Sequence, residues 1–250
     1  YEIGLKSSIS PELHPELAKK LLEARTIFRQ RLHAAGKDKF IESFDVDSYN
    51  TYATVAENII FGTPVGAYFA IDNLGRNEYM QRVIEKTGLS GDFLEMGRRL
   101  AAIKAEIFHG LSPDHEFFER FSFIHSADMP IFKRILLVIE SNGIGSLDDD
   151  DRARLMALPF RLVETQHQVD LINGEMKKRL LQARRVFVQD LPENLRSSVQ
   201  FFQKDSYSAA NSIAENIIFG KTAFSKAGST EQVGHMLTQI VDELDLRKEI

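Results

Sequence analysis

The side chains able to do chemistry in this chain are few and poorly grouped. There is no cysteine among 250 residues, which removes thiolate catalysis and any disulfide framework. His109 and His115 lie six apart across a proline, and His125 precedes Asp128 by three. Neither pair has the tight ligand spacing of a zinc site, so no metal is expected. Asp148–Asp151 lacks the alternating oxygen ligands and glycine of a calcium loop. It reads as a solvated acidic helix start, favoured by the helix dipole. Gly36-Lys37 has no glycine loop before it, so the phosphate cradle G-x-x-x-x-G-K-S/T is missing. Leu89-Ser90-Gly91-Asp92 resembles the start of a nucleotide signature loop but reads as a serine-capped connector between helices. Lys177-Lys178-Arg179 and Arg184-Arg185 read as an exposed basic helix face. No nucleophile elbow or triad is recognisable, and no catalytic, cofactor-binding or metal-binding residue is assigned.

The informative feature is a repetition. Residues 47–62 read DSYNTYATVAENIIFG and residues 205–220 read DSYSAANSIAENIIFG, with ten identities and no gap at a separation of 158. Thr54-Val55-Ala56-Glu57 and Ser212-Ile213-Ala214-Glu215 are both capping boxes, in which hydroxyl and carboxylate satisfy each other's backbone amides. Apolar residues follow at helical spacing: Val55, Ile59 and Ile60, then Ile213, Ile217 and Ile218. Gly62 and Gly220 are expected to end each helix in a left-handed conformation. Helices of about two turns are marginal alone. Ile59, Ile60, Phe61, Ile217, Ile218 and Phe219 are therefore expected to be mostly buried.

The elements around the motif repeat too. Leu21–Phe28 aligns with Leu180–Phe187 at 159, and Val83–Leu89 resembles Ile240–Leu246 at 157. The apolar stripe of residues 15–33 is helical. Helices are expected over 76–88 and 91–109, from Ser112-Pro113-Asp114, from Met129-Pro130 to Gly143, and from Asp148 through Leu158. Pro159–Val163 reads as extended. The expected fold class is all-α: a helical domain with an internal duplication. It divides into a first repeat half at 1–92, an intervening helical segment at 93–169 and a second repeat half at 170–250.

Composition bounds the function. Hydrophobic content of 43% suits one large or two modest cores, and a net charge of −5 does not favour nucleic acid. No apolar run approaches the roughly 20 residues of a membrane span, so no direct membrane insertion is expected. No signal peptide is recognisable, and an opening Tyr in place of Met suggests a piece of something longer.

Thr54–Gly62, and equally Ser212–Gly220, resembles the T-V-x-E-N-I-x-F-G segment that follows the Q-loop in the ATPase domain of ABC exporters. The likeness is strong over those two elements, moderate for some 25 residues after each and weak across 94–170. The chain departs from the family in carrying the element twice and in lacking Walker A, signature and Walker B sequences. The resemblance implies an internal, accessory helical region of an ABC transporter. ATP and Mg are then expected only in the parent protein. The partners are its nucleotide-binding core and transmembrane part, at the cytoplasmic face of a membrane. It also implies contact with the coupling helices through Tyr49, Asn50 and Thr51, and through Tyr207, Ser208 and Ala209. Thr54, Glu57, Asn58, Phe61 and Gly62, with Ser212, Glu215, Asn216, Phe219 and Gly220, form the repeated structural motif. The alternative is a free-standing helical protein-protein interaction module.

Overall fold

The described residues form two hydrophobic cores, and neither follows one half of the sequence. The computed structural model describes residues 2–107 and 124–249. The larger core draws on residues between Tyr49 and Val199. It joins α3 (Val55–Ile60), α4 (Glu78–Lys86), α5 (Ser90–Ile107), α6 (Met129–Asn142), α7 (Asp149–Phe160) and α9 (Gly174–Asp190). The short α8 (Glu164–His167) leads into α9. The smaller core is made by the two ends of the chain. It joins α2 (Pro15–Ala34) with α10 (Ile213–Ile218) and α11 (Ser229–Glu243), with Leu5 of α1 (Glu2–Lys6) packed alongside.

The long helices follow from local sequence. Pro15 opens α2 where its missing N–H costs nothing, and Leu17, Leu21, Ala24, Phe28 and Leu32 form one buried stripe. Asn77 and Asn173 cap α4 and α9, accepting from Met80 N and Met176 N. Asp148 caps α7 by accepting from Asp151 N at 2.8 Å. The acidic start of α7 is not wholly solvated. Asp151 is buried and accepts two bonds from Arg134, at 2.8 and 2.5 Å.

Residues 159 and 160 are helical, not extended: α7 runs through Pro159 to Phe160. A proline in a last turn forfeits one hydrogen bond, and packing on α5 holds the turn. Extended backbone is found at Val163, which bridges Thr54, while Leu162 O accepts from Val55 N. The helix start expected at 112–114, His109 and His115 lie outside the described residues.

The fold is mostly helical, at 63%, but not all-α. Among the described residues, four strands of three residues form two antiparallel pairs: β1 (Ile41–Ser43), β2 (Gly62–Pro64), β3 (Val199–Phe201) and β4 (Gly220–Thr222). Segments this short show no period-two pattern, so sequence periodicity misses them. β1 pairs with β4 and β2 with β3. The registers correspond, with Glu42 opposite Lys221 and Thr63 opposite Gln200. Each sheet therefore takes one strand from each half of the chain. The helices are exchanged in the same sense, α2 packing on α10 and α9 on α3. No helix among the described residues is long and apolar enough to cross a membrane.

Candidate functional site at the seam between the halves

Both capping boxes form. Thr54 accepts from Glu57 N at 3.0 Å while Glu57 Oε2 accepts from Thr54 N at 2.8 Å. Ser212 and Glu215 do the same at 3.2 and 2.8 Å. The residues that turn left-handed at the helix ends are Phe61 (φ 51°) and Phe219 (φ 44°), not the glycines after them. A side chain there costs about 1–3 kcal/mol. Gly62 and Gly220 serve a different purpose, since the opposing strand lies against them. A Cβ on Gly62 would sit 2.6 Å from Gln200 O, and one on Gly220 2.5 Å from Glu42 O. Ile59, Ile60 and Ile217 are buried, whereas Ile218, Phe61 and Phe219 are half-buried.

Two arginines fasten the halves together. Arg184, on α9, reaches the 45–58 segment of the first half. Its Nε donates to Asn58 O at 2.7 Å, and Nη1 donates to Asp45 O, Val46 O and Ser48 O at 2.9, 2.7 and 3.1 Å. Its Nη2 donates to Asn58 Oδ1 at 3.2 Å, and the guanidinium lies 4.3 Å from the Phe61 ring centroid. Arg25, on α2, does the same in the second half. It donates to Asn216 O at 2.7 Å, to Gln203 O and Ser206 O at 3.3 and 3.2 Å, and to Lys204 O. It stands 4.5 Å from the Phe219 centroid. Arg184 is only 2% exposed, so it is not part of a solvated basic face.

Burial draws both guanidiniums down to about 10. The charge of Arg29 adds to this at Arg25, while Asp45 and Asp47 oppose it at Arg184. Both stay charged at neutral pH, and the ring of carbonyl oxygens replaces the lost water.

The motif asparagines complete each clamp. Asn58 Oδ1 accepts from Asn50 N at 2.8 Å, and its Nδ2 donates to Asn50 O and Thr54 O at 2.9 and 3.0 Å. Asn216 makes the matching bonds to Ser208 N, Ser208 O and Ser212 O at 2.7, 2.8 and 3.0 Å. Between the clamps, Phe44 and Phe202 stack at 3.8 Å with 8° between their planes. Phe44 meets Phe61 and Phe219 edge-on. Aromatic pairs of this kind add about 0.5–1.5 kcal/mol beyond their area. Two bonds that cross the seam break the correspondence: Lys221 pairs with Glu57 at 2.6 Å, and Thr63 donates to Asn211 Oδ1.

The residues expected to meet coupling helices are largely turned inward. Tyr49, Asn50, Tyr207 and Ser208 are buried, while Thr51 and Ala209 are half-buried. Glu42 Oε2 accepts from Thr51 N at 2.8 Å and from Thr51 Oγ1 at 2.7 Å. Gln200 holds Ser208 Oγ and Ala210 N in the second half at 3.1 and 2.6 Å. Tyr207 Oη accepts from Ile9 N at 3.3 Å, whereas Tyr49 Oη is buried with no hydrogen-bond partner among the described residues. Burial, with the charges of Glu164 and Glu42, pushes the Tyr49 phenol well above its usual range.

Five residues at the seam are not singled out from sequence, Arg25, Glu42, Gln200, Phe44 and Phe202, and Arg184 is read there only as part of an exposed basic face. The same spacing holds their signal. Phe44 and Phe202 stand 158 apart, as do the acceptors Glu42 and Gln200, and the arginines 159 apart.

His125 and Asp128 line a shallow cleft with Arg76, Arg154, Arg161 and Asp72. One of its acids, Asp72, pairs with Arg161, and its Arg76 pairs with Asp150 nearby. Among the described residues, no three His, Asp or Glu side chains are grouped to hold a metal ion. Comparison of the chain with models of known families, with curated proteins and with solved structures found no match.

Proposed function

We propose that this chain is an accessory helical region of an ABC-type transport ATPase. It arose by internal duplication, joins nucleotide state to the transmembrane part at the cytoplasmic face, and is not catalytic alone. The observation that carries this reading is the recurrence of Thr/Ser-Val/Ile-Ala-Glu-Asn-Ile-Ile-Phe-Gly. Each copy has the same capping box and the same left-handed phenylalanine. Reciprocal clamps tie the two copies to each other, and a firmly joined unit suits a part that passes movement from one subunit to another.

Two measurements test it. Titrating the chain with Mg-ATP by calorimetry should give no binding heat, and phosphate release should stay at background. Phosphoryl transfer needs a phosphate cradle, a lysine and metal ligands. The amides at Thr54 and Ser212 are already taken by their own caps. A photo-crosslinking residue placed at Thr51 or Ala209 should then join the chain, in its own cells, to transmembrane or nucleotide-binding segments of an ABC transporter. Micromolar ATP binding contradicts the first part, and crosslinks confined to unrelated proteins contradict the second.

A further inference from the structure

A groove of about 580 Å3 opens beside the stacked phenylalanines. Its volume lies within the range of ligand sites, roughly 300–1,000 Å3. Leu22, Arg25 and Arg29 of α2 form one wall, and Ser43, Phe44 and Phe219 form the other. Lys204 and Asp205 also line it. Arg29 is drawn to the Phe219 side, donating to Ile218 O and Phe219 O at 2.8 and 2.7 Å and also to Ser43 Oγ.

The molecule contains a template for what fills such a groove. β3 stands to α9 as β1 stands to α2. Ser43 lies opposite Gly220 and Phe201 lies opposite Gly62. The residue matching Ser43 is thus Phe201, which is half-buried and packs against the larger core. The residue matching Arg29, at the spacing of 159, is Val188. At one seam these two places hold a phenylalanine packed on the larger core and a valine. At the other, the same two places hold a serine and an arginine.

Charge narrows the choice of occupant. Three cations, Arg25, Arg29 and Lys204, face the groove against one carboxylate, Asp205. Burial disfavours the charge of both Arg25 and Arg29, and the charge of Arg29 adds to this at Arg25, so an arriving anion is favoured beside them. An apolar ring in a pocket with a charged rim is the usual form of an interface anchor.

We propose that this groove docks an aromatic side chain carried on an acidic peptide segment of a partner protein. The ring takes the place that Phe201 takes at the other seam, and the flanking carboxylates meet Arg29 and Lys204. The inference rests on the duplication and not on the transporter reading. A peptide titration on the isolated chain can fail without touching the ATP and crosslinking results, and the reverse holds as well.

Fluorescence anisotropy with the full chain tests it, using labelled peptides Glu-Glu-Phe-Glu-Glu, Glu-Glu-Ala-Glu-Glu and Lys-Lys-Phe-Lys-Lys. The acidic phenylalanine peptide should bind, and each of the other two should bind about tenfold more weakly or worse. Added salt should weaken the binding, since its charges are exposed. Ser43→Phe places the second seam's own residue in the first. It should cut binding about tenfold or more without lowering the melting temperature. Thr26→Trp, an exposed position lining the same groove, decides the matter if Ser43→Phe fails to fold. No binding of the acidic phenylalanine peptide at about 1 mM, where only some 4 kcal/mol would be needed, overturns the proposal. So does equal binding of the alanine or lysine peptide, or undiminished binding by the blocked variants.

Discussion

Arg184→Met should lower the melting temperature by about 10 °C. Arg184 donates to four carbonyl oxygens and one amide oxygen of the first half. Methionine fills much of the volume but leaves these acceptors facing apolar atoms. Removing one partner of a buried charged network costs about 3–5 kcal/mol, and in a chain of this size each kcal/mol is worth about 2–4 °C. Arg184→Lys should recover little, because one ammonium cannot reach acceptors spread along residues 45–58. Arg25→Met should behave alike, since its acceptors are the corresponding ones. Thermal unfolding followed by circular dichroism reads all three. A drop of less than about 2 °C in both methionine variants would mean that the carbonyl rings do not depend on the arginines.

Gly220→Ala should be nearly as damaging for a single methyl group. Its Cβ would lie 2.5 Å from Glu42 O and 2.9 Å from Ser43 Cα, both backbone atoms of the paired strand. The strand must move, and Phe44, next along it, moves with it off the ring of Phe202. A cost of about 3 kcal/mol is expected, the upper part of the overpacking range. Gly62→Ala should match it, because Gln200 O would be 2.6 Å away. Gly234→Ala is the control. It lies inside α11 with open space around it, so alanine should stabilise by up to about 1 kcal/mol. Chemical denaturation of the three variants separates close approach from general intolerance of alanine.

Much of the helical fold is legible in the sequence, and the seam is not. The capping boxes, the stripe of α2 and the starts of α6 and α7 rest on interactions within a few residues, and such signals survive in a linear reading. The pairing of β1 with β4 joins segments about 180 residues apart through backbone atoms alone. Nothing in a three-residue segment announces that. Arg184 resembles a surface residue because arginine usually is one. Only the carbonyl ring contributed by the other half makes its burial tolerable. Gly62 and Gly220 are expected from sequence to take a left-handed conformation, but Phe61 and Phe219 take it, and the glycines make room for a strand of the opposite half. For the proposed partner surface, the sequence points to the segments beside the motif. It could not indicate that Tyr49, Asn50, Tyr207 and Ser208 turn inward.

The exchange of strands between halves is tested most directly by disulfide trapping. The chain has no cysteine of its own, so every bond formed is an engineered one. Opposed residues of an antiparallel pair have Cα atoms about 4.5–5.5 Å apart, within the range a disulfide spans. Glu42→Cys with Lys221→Cys, and Thr63→Cys with Gln200→Cys, place cysteines opposite each other across the two sheets. Glu42→Cys with Thr63→Cys, and Gln200→Cys with Lys221→Cys, join strands of the same half that belong to different sheets. Under mild oxidation, with peptide mapping by mass spectrometry, the first two pairs should close quickly and nearly completely while the last two stay reduced. Rapid closure within a half, with the cross-half pairs left open, would contradict the interlocked seam.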